Sequence, residues 1–166
     1  MIHNSMNSAG KIFSLEALLE WRASLRPSHK KLVVTNGCFD ILHRGHVTYL
    51  EAARTQGDVL LVGVNADASV RELKGPDRPL NCEEDRCAVL AALACVDAVC
   101  IFREPTALSF LERVGPDLYA KGGDYTIETI NQEERRLVER QGGRVVVLPG
   151  VPGRSTTALL KKIAAL

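Results

Sequence analysis

The chain has 166 residues, 46% of them hydrophobic, and its 21 Lys and Arg against 20 Asp and Glu give a formal net charge of +1. This length predicts one domain with a single core, and the small charge excludes the basic surface that holds a long nucleic acid. The five cysteines contain no C-x-x-C pair, the N-terminus lacks an apolar signal core, and no apolar run reaches the ~18 residues of a membrane span. We therefore predict a cytoplasmic protein that binds neither nucleic acid nor membrane.

The predicted elements alternate along the chain. Residues 11–26 have the apolar spacing of an amphipathic helix and precede five short apolar runs that we predict to be strands, at 31–35, 58–65, 97–102, 117–121 and 144–148. Segments with helical periodicity separate these runs, which predicts a doubly wound, five-stranded parallel sheet of the α/β class. We expect a Rossmann-like domain over residues 31–166 and an N-terminal extension with a helix over residues 1–30.

Glycines and polar residues cluster at the predicted carboxyl ends of four strands, where open α/β sheets bind their ligands. The first cluster is "TNGCFDILHRGH", residues 35–46. A helix that begins near His43 and His46 would offer free N–H groups and a positive dipole end to an anion. Both imidazoles could reach that anion, and Gly45 between them would leave it space. Gly37 lies where the backbone turns sharply.

A second helix start follows the last strand, in "GRSTTALLKKI". Ser155, Thr156 and Thr157 are natural first-turn residues, and the charge of Arg154 at this end of the helix favours a bound anion. In the predicted "KGPDRP" loop, Lys74 is either a solvated surface charge or a cation that a lid delivers to phosphate. In "KGGDY", residues 121–125, the glycines would let a flat ligand approach, although the motif also suits a plain turn.

Other interpretations of these residues remain open. The two histidines with Cys38 or Asp40 could bind zinc, but metal-binding pairs on helices more often have i,i+4 spacing, so we favour the anion. Ser155 could be an ordinary helix cap. Arg86 is either a surface arginine or a bidentate phosphate clamp.

Together, "TNGCFDILHRGH", "VGVNADASVRELKG", "PDLYAKGGDY" and "GRSTTALLKKI" resemble the H-x-G-H nucleotidyltransferase superfamily, and within it the heptose 1-phosphate adenylyltransferases of ADP-heptose synthesis. The resemblance runs from about Lys31 to Ile163. It implies a nucleotidyltransferase domain in its stand-alone form, without the sugar-kinase domain of the bifunctional proteins. The implied reaction joins ATP and D-glycero-β-D-manno-heptose 1-phosphate to give ADP-heptose and pyrophosphate, for the inner core of lipopolysaccharide.

The resemblance also implies roles for single residues. The catalytic residues would be His43 and His46, which hold the ATP phosphates, and Lys74, which approaches the transferred phosphate. Mg²⁺ would be carried by the ATP phosphates, with no metal site in the protein. The apolar N-terminal helix and the fold type favour a homodimer. The implied nucleotide-binding residues are Gly37, Cys38, Phe39, Gly45, Asn65, Asp67, Arg86, Gly122, Gly123, Asp124, Ser155, Thr156 and Thr157.

Three alternatives compete with this function. The first is a cytidylyltransferase for glycerol or ethanolamine phosphate. Such enzymes often carry a hydroxyl residue where this chain has Cys38, and an arginine where it has Cys95, so the sequence favours the adenylyltransferase. The second is a nucleotide-binding sensor without turnover, and the intact histidine pair argues against it. The third is a zinc-binding regulatory domain.

Overall fold

Six strands and seven α-helices form the part of the chain that the computed structural model describes, residues 8–123 and 125–166. The strands are β1 (Ile12–Phe13), β2 (Leu32–Gly37), β3 (Val59–Asn65), β4 (Ala98–Phe102), β5 (Leu118–Gly123) and β6 (Arg144–Pro149). The helices are α1 (Leu15–Leu25), α2 (Arg44–Arg54), α3 (Asp67–Lys74), α4 (Glu83–Ala91), α5 (Leu108–Val114), α6 (Gln132–Arg140) and α7 (Thr156–Ile163). No helix in these ranges has the length and apolar character needed to cross a bilayer.

The sheet is parallel, with the strand order β1-β4-β3-β2-β5-β6. From β2 the chain proceeds to β3 and β4 on one side, and it then returns to place β5 and β6 on the other side of β2. The strand order therefore reverses between β2 and β5. In folds of this kind the crevice beyond the carboxyl ends of the two strands at such a reversal is the usual place for a ligand.

Each face of the sheet is covered by helices, as the nearly continuous apolar strands predict. On one face, side chains of α1, α5 and α6 pack against strand residues such as Val34, Leu61 and Tyr119. On the other, α2 and α4 pack against Val33, Leu60 and Ala120, the alternate residues of the same strands. We refer to these as the α6 face and the α2 face. The predicted doubly wound α/β class is confirmed.

The predicted count of five strands is wrong, because β1 adds a sixth at the edge of the sheet, paired with β4. This strand has only two residues, too few to show the alternation by which a strand is recognised in sequence. It lies in the stretch predicted as helix from residue 11. The helix begins after it, where the Ser14 hydroxyl caps α1 by accepting from the Ala17 N–H at 3.3 Å.

A further difference concerns Lys74, which we predicted to lie in a loop. It is the last residue of α3, a helix that the sequence analysis did not predict, and Gly75 ends that helix with φ of 100°. The first residue of α3 is Asp67. The helix therefore spans two of the predicted site residues and fixes the distance between them.

Candidate functional site

The histidine pair lies at the start of α2, on the side of the crevice nearest β2. His43 is the N-cap residue, with extended backbone (φ −145°, ψ 171°), and its carbonyl accepts from the His46 N–H at 2.9 Å. The two imidazole rings stack with their centroids 3.9 Å apart. Nδ1 of each ring is buried and has no hydrogen-bond partner among the described residues. Because buried polar atoms are nearly always paired, the two rings form an incomplete polar site.

Both rings are neutral at neutral pH. Burial lowers the pKa of His46 to about 4. The charge of Lys74 and repulsion from the His43 ring, when that ring is protonated, add to this effect, and the Ile41 carbonyl opposes it. Burial and the charge of Arg154 lower the pKa of His43. A neutral imidazole donates one hydrogen bond and accepts another. Lys74 and Arg154, whose charges help to lower these pKa values, place positive charge close to the pair, which is the environment an anionic ligand needs.

Two glycines of the first motif make room for aromatic rings. A Cβ on Gly45 would lie 2.9 Å from the His43 ring and 3.3 Å from Cβ of Arg154. A Cβ on Gly37 would lie 3.0 Å from the ring of Phe39, a residue in the left-handed region at φ 47°. The Phe39 ring in turn meets His46 edge-on, with centroids 5.3 Å apart. Both glycines therefore have a packing role.

The start of α7 lies beside the start of α2. Ser155 is the N-cap residue of α7, and its hydroxyl accepts from the Ala158 N–H at 3.1 Å. The Thr156 hydroxyl donates to the carbonyl of Ile41, in the first motif, at 3.2 Å. Thr157 is exposed. The fold thus brings two positive helix ends together, as we predicted from sequence, while the Ser155 hydroxyl is used to cap its own helix.

Arg86, on α4, is buried in the interior beneath this site. Its guanidinium donates to the carbonyls of Asn81 at 3.0 Å, Cys38 at 2.6 Å and Asn65 at 2.8 Å. It also forms an ion pair with the Asp67 carboxylate at 2.7 Å. Arg86 therefore joins the loops after β2 and β3 to the start of α4. This arrangement favours a role in positioning those loops over direct contact with a phosphate.

The buried carboxylate of Asp40, which our set of site residues did not include, holds the loop before α4 against the first motif. It accepts from Arg78 Nε at 2.6 Å and from the N–H groups of Leu80 at 2.8 Å and Asn81 at 3.0 Å. Burial alone would raise its pKa, but these donors hold the pKa below the ordinary value. Because Asp40 lies within the quoted motif, the sequence indicated it as a candidate site residue. Nothing in the sequence identified Arg78 as its partner.

A second polar cluster lies on the α6 face of the crevice. Oδ1 of Asn36 faces the Tyr119 hydroxyl at 2.6 Å and Lys121 Nζ at 3.0 Å. The Tyr119 hydroxyl also lies 2.7 Å from the Glu134 carboxylate, which is 3.6 Å from Lys121 Nζ. Burial lowers the pKa of Lys121, opposed by Glu134. Strand alternation predicts that Asn36, Tyr119 and Lys121 share one face of the sheet. Nothing in the sequence predicted that Glu134 of α6 would join this cluster.

The other predicted residues lie around the same edge of the sheet. Asn65 is buried at the end of β3, and Lys74 is exposed, near enough for its charge to act on His46. Gly122 packs under the Tyr49 ring, which a Cβ would overlap, and Gly123 has φ of 95°. Asp124 lies outside the described residues. The roles of these residues toward a nucleotide stay predictions.

The described residues contain no group of three or more His, Cys, Asp or Glu placed to hold a metal ion. Asp40, within the first motif, is paired with Arg78, and the nearby carboxylate of Asp67 is paired with Arg86. The geometry therefore gives no support to the zinc-binding alternative.

Comparison with known proteins identifies relatives along nearly the whole chain. The model of the family described as cytidylyltransferase-like matches residues 34–159. The bifunctional protein HldE of Citrifermentans bemidjiense is 50% identical over 161 residues, 97% of this chain and 33% of that protein. HldE of Trichlorobacter lovleyi is 49% identical over 157 residues, 95% of this chain and 32% of that protein. The chain spans about a third of the length of these curated relatives.

Solved structures share the fold. The lipopolysaccharide core biosynthesis protein from Thermoplasma volcanium is 28% identical, with a TM-score of 0.60 over 74% of this chain and 97% of that one. Pantoate-beta-alanine ligase from Francisella tularensis has a TM-score of 0.58 over 91% of this chain and 72% of that one, at 14% identity, which indicates the fold alone.

Proposed function

The chain belongs to the cytidylyltransferase-like family, and we propose that it is the adenylyltransferase that joins ATP and D-glycero-β-D-manno-heptose 1-phosphate. The products would be ADP-heptose and pyrophosphate, and the product sugar nucleotide would serve synthesis of the lipopolysaccharide inner core. The motif resemblance to heptose 1-phosphate adenylyltransferases supports this substrate pair. The bifunctional HldE relatives and the lipopolysaccharide core biosynthesis protein support it further.

One observation carries the proposal: the starts of α2 and α7 meet beside a stacked, neutral histidine pair. The Thr156 hydroxyl joins the start of α7 to the loop before α2, and Cβ of Arg154 lies beside Gly45. Lys74 adds a further cation close to His46. Helix N-termini with nearby cations bind phosphates. We therefore assign the ATP triphosphate to this side of the crevice, held by His43, His46 and the helix starts.

The proposed reaction needs charge stabilisation more than proton transfer. The acceptor is a sugar phosphate, already ionised at neutral pH, so the attack on the α-phosphorus of ATP needs no general base. The protein must place attacking oxygen, phosphorus and leaving oxygen in line, and stabilise the charge that builds on the pyrophosphate. Neutral His43 and His46 can donate hydrogen bonds to it, and Lys74 supplies a positive charge. Mg²⁺ enters with ATP, since it binds few protein ligands and keeps several waters.

The test of this proposal is identification of the product. Purified protein is incubated with Mg²⁺ and either ATP or CTP, together with a panel of sugar 1-phosphates, glycerol phosphate and ethanolamine phosphate. Mass spectrometry is expected to detect ADP-heptose, with one pyrophosphate released per product. A CDP product with glycerol or ethanolamine phosphate would support the cytidylyltransferase alternative. Nucleotide binding without pyrophosphate release in any mixture would support the sensor.

We also propose a homodimer in the cytoplasm, where ATP is available. Three large apolar side chains are exposed around α3 and α4, namely Leu73, Leu80 and Val89, and a second copy of the chain would remove them from water. The apolar N-terminal helix, which favoured a dimer from sequence, buries Leu18 and Leu25 in the core of its own chain instead. Light scattering of the purified protein measures this state directly.

A further inference from the structure

Asn36 lies near the carboxyl end of β2, at the side of the crevice. It is in β2 next to the reversal of strand order, and its side chain lies on the α6 face with Tyr119 and Lys121 of β5. The residue is only partly buried. It belongs to the first motif, yet neither phosphate binding nor packing of the histidines accounts for its side chain.

The orientation of the Asn36 amide follows from the chemistry of its neighbours. Lysine has only donors, so the atom that faces Lys121 Nζ at 3.0 Å must be the amide oxygen and not the nitrogen. The same oxygen meets the Tyr119 hydroxyl at 2.6 Å. Nδ2 therefore points away from Tyr119 and Lys121, the two residues that anchor the amide. Within the described chain Nδ2 makes no hydrogen bond. The cluster thus presents a pair of unused N–H donors at the edge of the sheet.

Tyr119 and Lys121 are in turn held in place by contacts with each other and with Glu134. Glu134, which is buried on α6, accepts from the Ala107 N–H at 3.0 Å and lies 3.6 Å from Lys121 Nζ. Lys121 Nζ also donates to the Tyr119 hydroxyl at 2.9 Å. A buried and connected polar network of this kind holds its members in one arrangement. The amide is therefore oriented before any ligand arrives.

The charge of this cluster differs from that of the histidine side. The positive charge of Lys121 is balanced by Glu134, whereas His43 and His46 lie among Lys74, Arg154 and two helix starts. A neutral cluster with a fixed N–H donor suits a hydroxyl oxygen, and the positive side suits phosphates. In an in-line reaction the attacking group enters opposite the leaving pyrophosphate. If the pyrophosphate lies at α2, the acceptor lies toward the α6 face, where Asn36 is.

From this arrangement we infer that Asn36 contacts the acceptor directly, with Nδ2 donating a hydrogen bond to a hydroxyl of its sugar. Tyr119, Lys121 and Glu134 are positioning residues that act through Asn36. The inference rests on the function proposed above and adds a residue that selects the acceptor.

The test measures KM for the sugar 1-phosphate and KM for ATP separately in each variant, and compares how much each one changes. Asn36→Ala should raise KM for the sugar 1-phosphate about 3- to 10-fold, the effect of one lost neutral hydrogen bond, while KM for ATP changes less than about twofold. Tyr119→Phe removes one anchor and should change the ratio of the two KM values in the same direction by a smaller factor. Tyr49→Phe is the matched control, because its buried hydroxyl bonds to Thr35 and the Ala120 carbonyl on the α2 face. It should leave that ratio unchanged.

Acceptor analogues that each lack one hydroxyl identify the contact. One analogue should raise KM in the wild-type protein by the same factor as Asn36→Ala, and should cause no further increase in that variant. If Asn36→Ala does not fold, Asn36→Asp has the same shape without the donor and should show the same split. Normal wild-type turnover with equal KM changes for both substrates, or with a change in kcat alone, would overturn the role of Asn36. No wild-type turnover with any acceptor would instead overturn the proposed function, and this inference with it.

Discussion

His46 packs between two rings, stacked on His43 and edge-on to Phe39, and this packing fixes where its nitrogen atoms point. The same packing keeps water from much of the ring and favours its neutral form. A neutral donor held in place can stabilise developing charge without having to reorient during the reaction. The residue therefore combines a structural contact with the role we propose for it toward the ATP phosphates.

We predict that His46→Ala lowers kcat by ~10²–10³, the effect of removing one pre-placed donor from a site that stabilises charge. Steady-state rates of pyrophosphate release measure this. His29→Asn is the control, because His29 precedes β2 and so lies at the amino ends of the strands, away from the crevice. His29 has left-handed backbone, a conformation that asparagine tolerates. Turnover of His46→Ala close to that of the wild type would contradict the role of His46.

The low pKa of His46 makes stability depend on pH. The unfolded chain binds a proton at this ring below its ordinary pKa of 6.5, whereas the folded protein binds it only near pH 4. Protons therefore favour the unfolded state, and the free energy of unfolding should fall as the pH decreases from 6.5 to 4. Because the ring is partly exposed, we expect a loss on the order of 1–2 kcal/mol, less than full linkage would give.

Urea unfolding at several pH values between 4 and 7 measures this dependence. In His46→Asn the titrating ring is absent, so the slope over this range should be shallower than in the wild type. Part of the slope should remain, because the pKa of His43 is lowered as well. Identical slopes in the two proteins would mean that His46 titrates normally in the folded state.

At the scale of elements, the site is built by loops that share buried anchors. Arg86 joins the carbonyl groups after β2 and β3 and the loop before α4, and Asp40 holds that same loop through three donors. Each anchor removes unpaired polar atoms from the interior, which would otherwise cost stability. The shape of the crevice therefore depends on contacts made beneath it.

We predict that Arg86→Lys destabilises the protein by about 3 kcal/mol, because one ammonium cannot replace the guanidinium donors and Asp67 loses its partner. KM for ATP should rise as well, since the loops that carry Cys38 and Asn65 lose their common anchor. Arg71→Lys, on the exposed surface of α3, is the matched control and should change stability by less than about 0.5 kcal/mol. Urea unfolding and steady-state kinetics test both effects, and equal behaviour of the two variants would refute the anchoring role.

At the scale of the whole molecule, β1 and α1 are part of the same packed unit as the rest of the sheet. β1 extends the sheet beside β4, and Leu18 of α1 is fully buried with residues such as Ala98 and Phe110. Arg22 of the same helix forms an ion pair with Asp117 at 3.0 Å, just before β5. The division into an extension over residues 1–30 and a domain over residues 31–166 stays a prediction about how the chain is organised.

Leu18→Ala should cost about 2–5 kcal/mol of stability, because the cavity that it leaves lies in a packed interior. Leu166→Ala, the same substitution at a fully exposed side chain outside the proposed dimer surface, is the control and should have little effect. Thermal unfolding measures both. If the two variants melted at the same temperature, α1 would contribute little to the core.

The sequence by itself determined the local features of this protein. The apolar runs predicted β2 to β6 because a strand buried on both faces needs apolar side chains throughout. The glycines, histidines and hydroxyl residues predicted the two helix starts, since helix caps depend on neighbours within a few residues. The five-strand count failed at β1, where two residues are too few to show a period.

Only the tertiary structure decided which distant side chains meet. Arg86 with Cys38, Asp40 with Arg78, and Asn36 with Lys121 are separated by 48, 38 and 85 residues. Periodicity and capping describe short stretches of chain, so they carry no information about such partners. The order of strands in the sheet sets these pairs, because it alone determines which strand ends share the crevice.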